Sequence, residues 1–334
     1  MSSACLSERR DADRWHSFSL DGRRWPSRQR GPDEGDTALA PPRPARLRRA
    51  TLSQEGERGR LQRHIRLALI AFSGGVALAV STNTLSAREL RVCADPNNRP
   101  FSAEDGSGME NKIAELIGQE LGADVTYTWF AQRRGFLRNT LNAGKCDLVP
   151  GIPARMEMLR TTQPYYRSAY MFVRRETTPK IESLDDPALK RLKIGVQLIG
   201  NDATNTPPVH ALAHRGIVDN VHGYMVYGDY ESPDPVSPIV DAVASGDLDV
   251  AIVWGPQAGY FAAKQKVRLA LDPAPPSARD GDPPMRFEIA MGVRKADAAL
   301  AAEIDRALVA RRAEIDAILA SYHVPLFDAP GATK

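Results

Sequence analysis

The sequence predicts an α/β protein of two lobes, each a mainly parallel sheet flanked by helices, joined by two crossover strands. Three observations predict it. A βαβαβ alternation runs from Leu90 to Ile152; the alternation restarts after Pro179 and runs to Trp254; and two extended apolar stretches, Tyr170 to Arg174 and Phe287 to Val293, bracket the second run.

Each element follows from local pattern. Leu90 to Ala94 reads as a strand that ends in the turn-forming run Asp95, Pro96, Asn97, Asn98. Ile113, Leu116, Ile117 and Leu121 fall at i, i+3, i+4 and i+8, which is one helical face, and Gly122 stands where a helix stops. Val125 to Trp129 is the next strand, Phe136 to Asn142 the next helix, and Asp147 to Ile152 the third strand. In the second run, Ile194 to Gln197, Tyr224 to Tyr227 and Val250 to Trp254 read as strands, with Val209 to Ala213 and Ile239 to Ala244 as the helices between them. Ser232 to Pro238 and Asp272 to Pro284 are Pro-rich loops. Two closing helices carry Leu300, Ile304 and Leu308, then Ile315, Ile318, Leu319 and Tyr322, and are expected to rejoin the first lobe. The expected division is 88–178 plus 286–334 for the first lobe and 179–285 for the second.

Ahead of these elements, Arg60, Arg63 and Arg66 precede the apolar run Leu67 to Val80 and the small polar stretch Ser81 to Ala87, the order of a secretory signal peptide over 60–87. The run is shorter than the roughly 20 residues that span hydrocarbon, so export rather than a permanent transmembrane helix is expected. Residues 1–59 are polar and Arg-rich and read as a disordered extension or a start placed too far upstream. Residues 1–87 hold 15 arginines and 9 acids, which leaves the remainder with 29 basic and 32 acidic side chains. The net charge of +3 therefore belongs to the leader, and nucleic-acid binding loses its support. With 43% hydrophobic and 25% charged residues the chain can bury a sizeable core.

Cys93 and Cys146 would enter an oxidising compartment together, which suggests a disulfide. Two buried thiols in neighbouring strands are the alternative, since a bridge needs alpha carbons within about 7 Å.

The stretch Leu90 to Phe101, the helix ending Glu120-Leu121-Gly122, the turn Ala143-Gly144-Lys145-Cys146-Asp147 and the run Pro164-Tyr165-Tyr166 together resemble the type II periplasmic solute-binding fold of ABC-importer receptors. Arg91 to Asn98, Gln132-Arg133-Arg134-Gly135-Phe136, Arg138 to Gly144, Pro164 to Ser168 and Trp254-Gly255-Pro256 are similar to a narrower group, the MoxJ/XoxJ-type proteins that accompany pyrroloquinoline-quinone alcohol dehydrogenases. Amino-acid receptors of this fold clamp the ligand carboxylate with an Arg after the third strand and its ammonium with an Asp in the last strand of the second lobe. By position Arg155 is the first, and a guanidinium fork suits a carboxylate; a solvated arginine is the competing reading. The Asp is replaced by Trp254, a ring that can cap a planar ligand or face a cation, or else pack the hinge.

The remaining candidates are Asp95, Asn97 and Asn98 at a strand's carboxyl end, where α/β sheets place ligand loops, although the same residues are good turn formers. Arg134 lies in the polar cluster Gln132 to Arg134, and Asn201, Asp202 and Thr204 stand before a helix where backbone N–H groups meet anions or where Asp and Thr act as caps. Phe101 and Tyr166 enter from the matched stretches. His210 and His214, at i and i+4, lack a third ligand or a neighbouring Glu and make a poor metal site. No nucleophile elbow, phosphate loop or dinucleotide fingerprint is present. The resemblance implies a periplasmic protein without cofactor or catalysis that acts through hinge closure, either beside a quinoprotein alcohol dehydrogenase or, alternatively, as the receptor of an ABC permease for a small polar or carboxylated solute. An enzyme on this fold would need a paired acid and base in the cleft.

Overall fold

The computed structural model describes residues 88–199, 205–226, 230–276 and 279–327. The expected extension and signal peptide lie outside them, as do Asn201, Asp202 and Thr204. Among the described residues no helix is long and apolar enough to cross a membrane.

The first half begins with β1 (Arg88–Ala94), whose Leu90, Val92 and Ala94 side chains are buried. It runs parallel to β4 (Ala123–Trp129), in register from Arg88 opposite Ala123 to Ala94 opposite Trp129. A parallel pair needs a crossover. Helix α1 (Met109–Leu121) supplies it, burying Met109, Ile113, Ala114 and Ile117 against the sheet and ending at Gly122 with φ 60°. The Asp-Pro turn holds a small hairpin, β2 (Asn97–Asn98) against β3 (Ser102–Ala103), tied to α1 by Asn111, whose Oδ1 accepts from the Ala103 and Gly108 N–H groups.

The helix expected over Phe136 to Asn142 closes after one turn as α2 (Phe136–Asn139). The Thr140 hydroxyl donates to the Phe136 carbonyl at 2.6 Å, and the chain turns back so that Cys146 reaches β1. Cys93 and Cys146 form a disulfide with alpha carbons 5.4 Å apart. Beside it, Asp147 accepts hydrogen bonds from Arg91 and Arg294, and Val92 makes an isolated parallel bridge to Leu148. β5 (Val149–Pro153) continues from there, and β6 (Arg160–Thr161) follows.

A ten-residue strand, β7 (Tyr166–Arg175), then leaves the first apolar cluster at Tyr166 and enters two others at Ala169 and Tyr170. Its second half pairs antiparallel with β10 (Val250–Trp254) on one side and with β11 (Leu269–Pro273) on the other; its first half pairs with β12 (Arg286–Val293), which runs antiparallel back to β5 and β6. The parallel part of the second half is β10, β8 (Ile194–Leu198) and β9 (Val221–Met225). Helices α3 (Pro207–Ala213) and α4 (Pro238–Ser245) lie between those strands in sequence. β9 starts three residues before its expected position because Asn220 anchors it: its amide donates to the Leu189 and Leu192 carbonyls, and its own carbonyl accepts from Ile194.

Helix α5 (Gly255–Ala263) and strand β11 were not foreseen. β11 occupies the start of the run expected to be a loop, held by the Arg174–Asp272 ion pair. Helix α5 approaches the chain that follows the last helix so closely that a Cβ on Gly259 would stand 1.8 Å from the His323 carbonyl oxygen. The closing helices α6 (Ala298–Ala310) and α7 (Arg312–Ser321) bring Ala301, Ile304, Leu308, Ile315, Leu319 and Tyr322 into the first apolar cluster, as expected.

That cluster also shelters a carboxyl group. Glu110, in the first turn of α1, lies beside Gly151, where a Cβ would come within 2.0 Å of its Oε1, and this oxygen has no hydrogen-bond partner among the described residues. Burial pushes its pKa up from the ordinary 4.5 to about 8. The group is therefore neutral in the fold where the unfolded chain would ionise it. The contribution of Glu110 to stability should be full below about pH 4.5, fall as the pH rises, and level off above about 8, losing up to about 5 kcal/mol at 1.36 kcal/mol per pH unit. Urea titrations across that interval should show a steeper fall in the wild type than in Glu110→Gln. Separately, Gly259→Ala should cost about 1 to 3 kcal/mol by overpacking α5 against His323, read as a lower urea midpoint with unchanged slope.

Candidate functional site

Asp95 emerges at the carboxyl end of β1 and is buried, with 2% of its surface exposed. A carboxylate at that depth needs donors. Its Oδ1 accepts from the Asn97 N–H at 2.9 Å, the side-chain turn that Asp-Pro-Asn chemistry favours. Its Oδ2 accepts from the Gln132 N–H at 2.6 Å and from the Tyr230 hydroxyl at 2.7 Å. Ser102 accepts from the Asp95 N–H and donates to the Asp95 carbonyl, closing the hairpin under the carboxylate. Asn98 donates to Gln132 Oε1 at 3.1 Å. Asp95, Asn97, Asn98 and Gln132 thus form one polar cluster, as their spacing around the first strand's end allowed.

Tyr230 belongs to the other half of the molecule, in the loop ahead of α4. Two further contacts come from the same loop: Asn97 Nδ2 donates to the Ser232 carbonyl at 2.6 Å, and Arg99 Nη1 donates to the Pro233 carbonyl at 2.9 Å. Arg99 is itself held by Asp105 at 2.7 Å and Ser107 at 3.2 Å. Sequence reasoning missed Tyr230, Ser232 and Arg99. Tyr230 donates to a partner 135 residues away, and the acceptors at Ser232 and Pro233 are backbone carbonyls that any residue carries.

Trp254, at the end of β10, packs against the first apolar cluster and one of the second-half clusters. Its ring centroid lies 5.4 Å from Tyr170 on β7 and 5.9 Å from Phe287 on β12. Three aromatic rings from three strands therefore meet where the crossover strands pass. Beneath them is a buried amide pair that sequence reasoning also missed. Gln197 Oε1 accepts from the Trp254 N–H at 2.9 Å, and its Nε2 donates to Gln257 Oε1 at 2.6 Å. Their visible signal was a glutamine at the end of an otherwise apolar strand.

Arg155 is exposed, with φ 64°, and lines a groove of about 520 Å³ together with Arg167, Arg286, Phe287 and Glu288. Arg167 pairs with Glu288 across the β7–β12 ladder, and the Arg286 guanidinium lies 4.9 Å from the Phe327 ring centre. A carboxylate has a guanidinium to meet there. Arg134 is exposed on the turn before α2. Two candidates pack inward: Tyr166 is 4% exposed and meets Tyr165 edge-on at 5.0 Å, while the half-buried Phe101 packs against the same cluster and its carbonyl accepts from the Glu110 N–H. His214, half of the pair on α3, has Nδ1 2.8 Å from Asp282, which also pairs with Arg215. Among the described residues no three His, Cys, Asp or Glu side chains are placed to hold a metal ion.

Residues 90–324 match the bacterial extracellular solute-binding proteins, family 3. The chain is 34% identical over 250 residues to the protein MoxJ of Methylorubrum extorquens, across 71% of this chain and 81% of that protein. Among solved structures it is similar to MxaJ from Methlophaga aminisulfidivorans, with 24% identity and a TM-score of 0.63 over 71% of this chain and 100% of the other. It is also similar to the periplasmic binding protein XoxJ from Methylobacterium extorquens, with 35% identity and a TM-score of 0.58 over 72% of this chain and 100% of the other.

Trp254 and Arg155, the two positions compared with an amino-acid receptor's anchors by resemblance, should behave oppositely on truncation. Trp254→Ala should lower stability by about 3 kcal/mol through the cavity it opens between three rings, whereas Arg155→Ala, on an exposed side chain, should stay within about 0.5 kcal/mol of wild type. Chemical denaturation of both variants checks this.

Proposed function

The chain belongs to family 3 of the bacterial extracellular solute-binding proteins, and on that premise we propose that it is a periplasmic accessory protein of a quinoprotein alcohol or methanol dehydrogenase system. It acts by binding, not by catalysis. Export through the 60–87 signal peptide delivers it, and its hinge closes the first lobe (88–178 plus 286–334) on the second (179–285). Exchange between an open and a closed state, biased by a partner that prefers one of them, is the mode of action.

The likeness to MoxJ supports the dehydrogenase assignment, which the sequence resemblance to that group implies. The single observation that supports the departure from transport is the packing of Trp254 against Tyr170 and Phe287: where the resemblance would put an ammonium-binding acid, this chain has an indole engaged with its neighbours. An indole brings no negative charge to offset an ammonium group in a desolvated cleft. Arg155 at its groove is the observation that favours the other reading, a receptor of an ABC permease for a carboxylated solute.

Two measurements separate them. The exported protein should co-elute with the quinoprotein alcohol dehydrogenase of its own host, and its melting temperature should stay unchanged across an amino-acid and dicarboxylate panel. A transport receptor at saturating solute would instead gain roughly 3 to 4 kcal/mol, a clear upward shift, without retaining the dehydrogenase. Amino-terminal sequencing of the exported protein should start close to residue 88.

A further inference from the structure

We propose that the cleft is closed by the chain itself, with the segment Tyr230 to Pro233 as its internal occupant and Asp95 as the acceptor that holds it. Asp95 has two donors from its own half, the Asn97 and Gln132 N–H groups, and both are fixed by local backbone geometry. The third donor comes from across the cleft, and it is a side chain of this protein, the Tyr230 hydroxyl. The contact does not stand alone. Two places further along the same loop the Ser232 carbonyl receives Asn97, and the next carbonyl, that of Pro233, receives Arg99, which Asp105 and Ser107 orient.

The seam continues beyond the loop. Asp234 pairs with Lys264 at 3.3 Å, Lys264 lies 4.0 Å from the centre of the Tyr260 ring, and Tyr260 stacks on Tyr322 of the first half at 5.8 Å with 20° between the rings. The Tyr322 hydroxyl in turn donates to the carbonyl of Ser107, the residue that supports Arg99. Polar and aromatic contacts thus run unbroken from Asp95 to Tyr322, and the side chains at the first strand's end are spent on the protein's own loop. Pro233 and Pro235 restrict that loop, so ordering it against the first half costs less entropy than ordering a flexible segment.

A solute that needs Asp95 or Asn97 must displace Tyr230 and Ser232 first. Closure therefore needs no ligand, and a partner that opens the protein must break these contacts. This goes beyond the dehydrogenase assignment and stands or falls separately from it.

Small-angle X-ray scattering of the exported chain tests it, comparing wild type with Tyr230→Phe and with Tyr230→Phe/Arg99→Ala, each without additive and with arginine or glutamate. Losing one hydrogen bond of this kind should shift the closed-to-open ratio about two- to tenfold, and losing two should compound the shift. The expected result is a wild type that is compact without additive and does not contract with either amino acid, a double variant with an enlarged radius of gyration, and the single variant between them. Circular dichroism confirms that the variants are folded. A wild type already expanded without additive, or a double variant that scatters as wild type does, overturns the proposal.

Discussion

The strand β7 belongs to both halves at once, and the rest of the architecture hangs on the hydrogen-bond ladder it makes. Its first residues pair with β12 and its last with β10 and β11, so one uninterrupted backbone carries register from the first apolar core into the second. A strand can do this only if every residue in it keeps its ladder partners on changing cores. The sequence meets that demand with a nearly continuous buried run from Ser168 to Val173, apolar apart from its serine and flanked by arginines that reach carboxylates on the neighbouring strands. The antiparallel β12 beside it makes the connection a ribbon instead of a single thread.

This ribbon explains where chemistry can and cannot happen. The aromatic triad of Tyr170, Trp254 and Phe287 sits on it, and so does the groove bounded by Arg155, Arg167 and Arg286. A large ring at position 254 stiffens the place where β7, β10 and β12 meet. The polar groups at the end of β1 are matched by a loop from the opposite half.

Much of this was legible in the sequence, for identifiable reasons. β1, α1 and β10 carry unmixed apolar periodicity, and the crossover strands show as apolar runs bracketing the second alternation. What failed did so where distant contacts override local pattern. Gly255 and Gly259 count against a helix by propensity, yet they stand in α5, where the absence of a side chain at Gly259 lets it lie against the tail at His323. The helix after Gly135 is shorter than its pattern because Cys146 has to reach Cys93. Tyr230 was invisible because its role depends on Asp95, 135 residues away, and on carbonyls that leave no trace in side-chain identity. Within the candidate set, Asp95, Asn97 and Asn98 were named for their place at a strand end and lie together in one polar cluster, while Phe101 and Tyr166 came from motif alone and pack at the first apolar cluster.

The Cys93–Cys146 bridge acts on the unfolded chain as well as on the folded one. It ties β1 to the turn before β5 over a separation of 53 residues, beneath the small apolar group of Phe136, Leu141, Val149 and Ile152. With the two thiols reduced, this corner would have only that packing to hold it, and the unfolded chain would keep the freedom of an open loop. The bond removes that freedom, so it stabilises the fold through the unfolded conformations it forbids as well as through the corner it holds.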